Sequence, residues 1–484
     1  MRHYFALVAV AVAVAVAVAV AVLLPGAGVA ATPAAADALA GIWGTAEEVP
    51  GLAALDHGGS ADLRGVSCGA AGNCAAGGSY TYGSGHQQAF VASQANGTWG
   101  SAQQVPGLAV LDTGRFAGIY AVSCGAAGSC AAGGYFHQSS STGPFQAFVV
   151  SEKKGTWGTA QQVPGLAALN TGGGAAVLSV SCASAGNCSA GGYYATSSGS
   201  GPAFVVTEIN GTWGTAHEVP GLAALSPGQN ATIFSVSCAS AGNCSAGGVY
   251  RDSVGREQAF VVSEKKGTWG TARQVPGSAA LNQRGDAYVS SVSCAGGGDC
   301  AAGGKAGGHP YVVNQVTGTW GSAQVVPGIA ALNHGGTAEV DAVSCAAAGN
   351  CLAGGTYGHN MGQLAAFVAT ETNGTWGTAQ QIRGTAPLNT FNSELYSVSC
   401  GAAGNCAAAG SSADSSGHTQ AFVANQANGR WHAAQEVPGI AALNQGGNAW
   451  TQSASCPAAG NCSAGGGYTD SSGHMQAFVV SETT

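Results

Sequence analysis

The chain has 484 residues, with 14 Lys and Arg against 22 Asp and Glu and a formal net charge of −8. So few charges, with a small acidic excess, exclude a surface built to follow nucleic-acid phosphates. Glycine is abundant at 80 residues, but 46% of the chain is hydrophobic, so the composition indicates a packed protein and excludes a disordered linker.

The N terminus has the pattern of an export signal. Arg2 and His3 precede an apolar run from Phe5 to Leu24. This pattern predicts a signal peptide over residues 1–30 and a flexible lead-in over residues 31–40. An uncleaved membrane anchor is the alternative, because a run of about 20 apolar residues can span a bilayer. In either case we expect the rest of the chain to be secreted or held at the cell surface, with no further membrane contact.

From residue 41 onward one motif is repeated eight times. Its marker is a pair of cysteines six positions apart: Cys68 and Cys74, Cys124 and Cys130, Cys182 and Cys188, Cys238 and Cys244, Cys294 and Cys300, Cys345 and Cys351, Cys400 and Cys406, and Cys456 and Cys462. Successive pairs begin 56, 58, 56, 56, 51, 55 and 56 residues apart. Such a period is typical of four-stranded propeller blades. The repetition predicts one closed array over residues 41–484, although the length alone would suggest three domains.

Each copy contains four apolar segments, here named strands a, b, c and d. In the third copy they span residues 177–182, 188–193, 203–207 and 212–219. Strand a alternates in hydrophobicity, strand b consists of Ala and Gly and suits the crowded region near a propeller axis, and strands c and d carry aromatic residues expected in the core. The predicted fold is all-β, an eight-bladed propeller with four strands in each blade.

The two ends of the repeat region complement each other. Residues 41–49 form a lone strand d, and residues 476–482 form a strand c that lacks its d. We therefore expect the N-terminal strand to complete the last blade, which would close the ring without an unpaired edge.

The sixteen cysteines are predicted to form one disulfide in each a–b hairpin, because the chain is exported and the spacing places both sulfurs across a short turn. Zinc is the alternative, but two cysteines in each blade cannot supply four ligands and no histidine recurs beside them. Eight equivalent copies also argue against a catalytic thiol. No metal and no cofactor are expected, since no phosphate loop or zinc-protease motif is found.

The repeat resembles the broad family of bacterial propellers related to sialidase-type Asp-box repeats, and in particular secreted actinobacterial proteins with recurrent Ser-Val-Ser-Cys segments. The c–d turn, such as Ser151-Glu-Lys-Lys-Gly-Thr-Trp157, is similar to a degraded Asp-box that has lost its Asp and one residue of spacing. An Asp-box is a structural turn. The resemblance therefore implies the fold and implies little about activity.

Candidate ligand-binding residues lie on one face of the predicted propeller. The a–b and c–d turns share the uniform face, whereas the b–c and d–a connections share the face where the copies differ. The candidates there are Arg64, Arg115, Tyr120, Arg284, Tyr288, Glu339, Tyr396 and Trp450. Mixed aromatic and polar side chains suit recognition of a sugar or a peptide. The alternative is that most of them are solvated loop residues.

The leading hypothesis is a monomeric, non-catalytic module that binds an extracellular glycan or a surface protein. A glycan-processing enzyme is the first alternative. A sialidase would need three convergent arginines, for which Arg64, Arg115 and Arg284 are the candidates, but the family's Arg-Ile-Pro motif is absent. A glycosidase pair could come from among Asp286, Glu339, Asp341 and Glu394, but the sequence selects no two of them. No catalytic residue is therefore assigned. A structural envelope protein is the second alternative.

Overall fold

The computed structural model describes residues 41–83, 85–140, 143–228, 230–359, 363–384, 388, 392–414 and 416–483. The described residues form an eight-bladed β-propeller of antiparallel blades, which confirms the predicted fold. Within each blade the strands follow the order a, b, c, d. The predicted signal peptide and lead-in lie outside the described residues. Among the residues that are described, no helix is long and apolar enough to cross a bilayer.

Strands a, b and c are the long elements of each blade. Strands a are Ala61–Ala70, Ala117–Ala126, Ala176–Ser184, Ala231–Ser240, Ala287–Gly296, Ala338–Ala347, Ser393–Ala402 and Ala449–Ala458. Strands b are Asn73–Tyr82, Ser129–His137, Asn187–Tyr193, Asn243–Arg251, Asp299–Ala306, Asn350–Gly358, Asn405–Ala413 and Asn461–Thr469. Strands c are His86–Ala95, Phe145–Lys153, Ala203–Ile209, Glu257–Lys265, His309–Val316, Leu364–Thr372, Thr419–Ala427 and Met475–Thr483.

Strand d was predicted as one segment, but the structure divides it into two short pieces. In blades 1 to 8 these are Thr98–Trp99 and Gln103–Gln104, Thr156–Trp157 and Gln161–Gln162, Thr212–Trp213 and His217–Glu218, Thr268–Trp269 and Arg273–Gln274, Thr319–Trp320 and Gln324–Val325, Thr375–Trp376 and Gln380–Gln381, Arg430–Trp431 and Gln435–Glu436, and Ile42–Trp43 and Glu47–Glu48. The division has a physical reason. Between the pieces, Ala160 donates its N–H to Pro106 O of the preceding connection (2.8 Å) instead of to strand c.

In the described part of the chain, seven connections from strand d to the next strand a contain a short helix, which the sequence did not predict. The helix follows a glycine with positive φ, such as Gly107 (φ 75°), and its first residue, such as Leu108, is fully buried. The helices are Leu52–Asp56, Leu108–Leu111, Leu166–Leu169, Leu222–Leu225, Ser278–Leu281 and Ile440–Leu443, with a 3₁₀ turn at Ile329–Ala331. The buried first residue adds to the apolar layer between two blades, as Leu108 does between blades 1 and 2.

The core consists of apolar layers between adjacent blades. In the layer between blades 8 and 1, Leu63 and Val66 of strand a pack with Val479 of the preceding strand c. On its other face, strand b of blade 1 comes so close to blade 2 that a Cβ on Gly77 would lie 2.9 Å from the Val122 side chain. The Ala and Gly content of strand b thus follows from the close approach of blades near the axis.

The ring closes as predicted. Trp43 pairs with Glu482, and Glu48 pairs with Phe478, so the N-terminal strand forms strand d of blade 8. The indole Nε1 of Trp43 also donates to Asn425 Oδ1 of blade 7 at 2.9 Å.

All eight predicted disulfides are present, one in each a–b hairpin, and none of the cysteines is free. The bonds join Cys68 to Cys74, Cys124 to Cys130, Cys182 to Cys188, Cys238 to Cys244, Cys294 to Cys300, Cys345 to Cys351, Cys400 to Cys406, and Cys456 to Cys462. Disulfides at this density belong to proteins of oxidising compartments.

The two cysteines of a disulfide differ in burial, which the sequence did not predict. The first cysteine, on strand a, is only partly buried in blades 1 to 7. The second cysteine, on strand b, is buried in all eight blades; these residues are Cys74, Cys130, Cys188, Cys244, Cys300, Cys351, Cys406 and Cys462. Seven of them, all except Cys244, pack in the apolar layers between blades, so these are core residues rather than parts of a ligand site.

The serine before each first cysteine joins adjacent blades. For example, the hydroxyl of Ser237 accepts the backbone N–H of Cys294 at 2.9 Å. The same bond recurs at every junction, including Ser455 to Cys68 across the closure. The uniform Ser-Val-Ser-Cys segment is therefore explained by contacts between blades as well as by the disulfide.

Candidate functional site

The eight blades differ most where strands a begin, at the mouth of the central channel. In blade 1 the pairing of strands a and b shifts between Leu63 and Gly65, so that Arg64 is an unpaired β-bulge residue. The glycine opposite is required, because a Cβ on Gly78 would lie 1.9 Å from the Asp62 carbonyl oxygen. Every blade has this bulge. The bulge residues are Arg64, Tyr120, Leu178, Phe234, Ser290, Asp341, Tyr396 and Gln452.

The residues two positions earlier in strands a complete this surface, and we call the two sets together the channel mouth. They are Asp62, Gly118, Ala176, Thr232, Tyr288, Glu339, Glu394 and Trp450. Several of them pair across to a strand b residue of complementary size. Gly118 lies opposite Tyr135, whereas Trp450 lies opposite Gly467, where a Cβ would come within 2.5 Å of the indole. The scaffold therefore accepts a large side chain from either strand.

Blades 1 to 3 form an aromatic sector of the mouth. The rings of Tyr120 and Tyr135 have centroids 5.1 Å apart, and Phe116 lies 6.2 Å from Tyr135. Tyr120 is 39% exposed, so part of its ring remains available to a ligand. The Arg64 side chain stands beside these rings and pairs with Asp62 (Nε to Oδ2, 2.5 Å). The cluster extends outward through His137, Phe145 and Tyr193.

Blades 5 to 7 form an acidic sector with two tyrosine–carboxylate pairs. The Tyr288 hydroxyl donates to Glu339 Oε2 of the next blade. The Tyr396 hydroxyl donates to Glu394 Oε2 at 2.6 Å within its own strand. Asp341 lies between them and accepts a hydrogen bond from the Thr356 hydroxyl at 3.2 Å.

The environment of Asp341 favours its protonated form. Burial, together with the charges of Glu339 and Glu394, raises the pKa of this carboxyl to about 8, although the Thr356 hydrogen bond opposes the rise. Burial and the bond to Glu394 similarly raise the pKa of Tyr396 to about 12. At neutral pH the sector therefore presents Asp341 as a carboxylic acid that can donate a proton or a hydrogen bond.

Six of the eight candidate residues lie at the mouth: Arg64, Tyr120, Tyr288, Glu339, Tyr396 and Trp450. Arg115 and Arg284 do not lie in strands a. Arg115 stands in the connection to blade 2, with Nη1 3.4 Å from His86 Nε2. Arg284 stands in the connection to blade 5, beside Gly308. The three arginines thus have separate partners, whereas Glu339, Asp341 and Glu394 share one sector.

Sequence reasoning did not select Asp62, Phe234, Lys305 or Gln452. Phe234 is 39% exposed, and its ring meets that of Tyr288 edge-on at 6.3 Å. Lys305 Nζ lies 5.3 Å from the Tyr288 ring centroid and 3.4 Å from Asp286 Oδ2. One signal in the sequence could have identified the strand a members. Once the copies are aligned on the first cysteine, the fourth and sixth residues before it vary in every blade.

The described part of the chain contains no group of three or more His, Cys, Asp or Glu side chains that could hold a metal ion.

No protein-family model matches the chain. No curated protein matches it either. Among solved structures, similarity extends to a Dyadobacter fermentans protein of unknown function (9% identity, 92% of this chain and 100% of that chain, TM-score 0.42). It also extends to the Hadza microbial sialidase Hz136 (11%, 70% and 68%, 0.36) and to Aleuria aurantia lectin in complex with α-methyl-L-fucoside (12%, 66% and 95%, 0.33). Similarity this remote assigns no function to this chain.

Proposed function

We propose that the protein is an exported glycan-binding propeller whose ligand site is the channel mouth. The observation that carries this proposal is the partly exposed Tyr120 ring against Tyr135, with the charged Arg64 side chain beside them. Pyranose rings present apolar C–H faces that pack on aromatic rings, while their hydroxyl groups need hydrogen-bonding partners. The mouth offers both kinds of contact.

The acidic sector would supply the polar half of such a site. Asp341 as a neutral acid can donate a hydrogen bond, and the carboxylates of Glu339 and Glu394 can accept hydrogen bonds from sugar hydroxyls. A rigid scaffold with ligand contacts on its variable segments is a common arrangement in binding proteins. A surface protein as the ligand is the outcome to consider if no glycan binds.

The test is a glycan array probed with the purified protein, followed by titration of the best ligand. Tyr120→Ala should weaken binding by about 1–3 kcal/mol, as loss of an aromatic anchor does. Ile209→Ala is the matched control, because Ile209 is 53% exposed at the end of strand c on the uniform face. Absence of any ligand, or equal weakening by both substitutions, would count against the mouth as a glycan site.

Glycoside hydrolysis is the second candidate, and the protonated Asp341 beside two carboxylates is the observation that favours it. A general acid with a raised pKa and a neighbouring carboxylate are the groups that glycosidases use. Chromogenic glycosides would test it. Turnover that disappears in Asp341→Asn but persists in Ile209→Ala would establish an enzyme, and absence of turnover on substrates that bind would exclude hydrolysis of them.

A further inference from the structure

The repeat is broken at one place on the outer rim, between blades 6 and 7. Elsewhere the connection reads Val-Pro-Gly or a close variant, and the glycine packs on the next strand d. A Cβ on Gly328, for example, would lie 2.2 Å from the Thr378 side chain. At the broken position the connection reads Ile382-Arg383-Gly384, and the next strand d has His432-Ala433 in place of Gly-Thr.

One hydrogen bond of the repeat is kept there while the packing is lost. Arg383 O accepts the N–H of Ala434 at 2.8 Å, as the proline carbonyl does at the other junctions. However, a Cβ on Gly384 would meet Leu388 of its own connection and no atom of blade 7 among its nearest neighbours. The backbones of the two blades therefore remain joined while their side chains leave a gap.

The gap is a cavity of about 510 Å³, within the size range of small-molecule sites. Its walls include Leu332, Gln380, Gln381, Arg383, Trp431 and His432, and no carboxylate is found among the described lining residues. Its described walls thus hold an arginine without an acidic side chain, although the chain as a whole carries a net charge of −8.

The indole of Trp431 has a hydrogen-bond donor without a partner. Its counterpart Trp376 donates Nε1–H to Asn314 Oδ1 at 2.9 Å. In blade 7 the corresponding acceptor position is Thr370, whose hydroxyl accepts from Gln426 at 3.3 Å and makes no bond to the indole. The buried Nε1 of Trp431 is consequently unsatisfied in the described structure, a state it shares with Trp99. Such a donor is costly to bury.

We propose that this rim cavity binds a monosaccharide that carries a carboxylate, such as a uronic acid. The Arg383 guanidinium would bind the carboxylate in bidentate fashion. The Trp431 indole supplies an apolar wall for the sugar ring, and the Gln380 and Gln381 amides can bind its hydroxyl groups. The site is separate from the channel mouth, so it goes beyond the proposed function and does not depend on it.

Isothermal titration of the full chain with glucuronate tests the proposal, with glucose and acetate as probes of the ring and the anion alone. We expect saturable glucuronate binding, at least about tenfold weaker binding of glucose and of acetate, and at least a tenfold loss in Arg383→Gln. Arg430→Gln is the matched control, because Arg430 is an exposed arginine next to Trp431 in strand d of blade 7 that does not line the cavity. It should bind like the parent protein.

A second variant tests the cavity without changing Arg383, in case Arg383→Gln acts on the fold instead of on the ligand. His432→Gly combined with Ala433→Thr restores the sequence of the other blades and removes the imidazole wall of the cavity, so glucuronate binding should weaken while the thermal stability is kept. Tyr120→Ala should leave glucuronate binding unchanged, which separates this site from the mouth. No saturable binding of glucuronate, equal affinity for glucose, or unchanged binding in Arg383→Gln would overturn the proposal.

Discussion

The two ends of strand a have opposite characters. The end near the cysteines reads Ser-Val-Ser-Cys or nearly so in every blade, and its hydrogen bonds join each blade to the next. The end at the channel mouth has a different pair of residues in each blade, and one residue of each pair is a bulge residue that leaves the ladder and has no pairing partner on strand b. A single strand can thus hold the ring together at one end and vary freely at the other.

This comparison also explains why the scaffold tolerates an aromatic sector beside an acidic one. The Arg64, Tyr120, Asp341 and Tyr396 side chains all occupy the same bulge position, and the glycine opposite each bulge keeps the backbone unchanged. The side chain at this position therefore affects the chemistry of the mouth far more than the fold.

Deleting residues 41–49 should have the largest effect, because it removes strand d of blade 8 and exposes strand c as an unpaired edge. We expect aggregation or a large fall in Tm, measured by size-exclusion chromatography and calorimetry. A chain that starts at Gly41 is the control. If the deleted protein were as stable and monomeric as that control, closure by the N-terminal strand would not be needed for the fold.

Ser237→Ala should lower the free energy of unfolding by about 1–2 kcal/mol, because the N–H of Cys294 at the uniform end of strand a loses its acceptor. Ser235→Ala removes the comparable bond to Val292 N–H, and a smaller loss is expected. The reason is that the same position is Gly65, Ala121 or Ala342 in three other blades. Urea unfolding of both variants measures the difference, and equal losses would contradict the special role of the serine next to the cysteine.

A buried glutamate on strand c should make stability depend on pH. Glu208 is 1% exposed and accepts from the Ser151 hydroxyl at 2.7 Å, and burial raises its pKa. The pKa of Glu208 is higher in the folded protein than in the unfolded chain, so the folded protein binds the proton more tightly. The stabilisation that protonated Glu208 contributes is therefore lost as pH rises through the raised pKa. Glu208→Gln should therefore raise Tm at pH 7 by a small amount and have little effect near pH 4.

Blade 5 provides the reciprocal test, since Gln315 occupies the same position and donates to Ser263 at 2.8 Å. Gln315→Glu should lower Tm at pH 7. The Tm of this variant should then rise on acidification, as the buried glutamate becomes protonated. Melting curves across pH would contradict this account if both substitutions changed Tm equally at all pH values.

At the mouth the smallest effect on stability is expected. Trp450→Ala and Tyr396→Ala change side chains that are partly exposed, so Tm should fall only slightly while affinity for a mouth ligand falls by about 1–3 kcal/mol. Parallel melting and binding measurements separate the two effects. A large fall in Tm with unchanged binding would show that Trp450 serves its own blade by packing on Gly467.

The amino-acid sequence by itself determined the number of blades, the disulfide pairs and the closure. These properties follow from local repetition: a cysteine pair every 51 to 58 residues, and a lone strand d at one end that matches a missing one at the other. They need no knowledge of how distant residues approach each other, because each blade packs only on its neighbours.

The tertiary structure alone decided which variable residues meet. Glu339 and Glu394 are 55 positions apart in sequence and act on the same Asp341, while Arg115 and Arg284, equally variable, stand away from strands a. The division of strand d, the helical turns, the burial of the strand b cysteines and the cavity at Arg383 also depend on contacts between blades. Such contacts follow from the curvature of the ring and from the one-residue bulges, and the repeat pattern alone does not show which side chains these bring together.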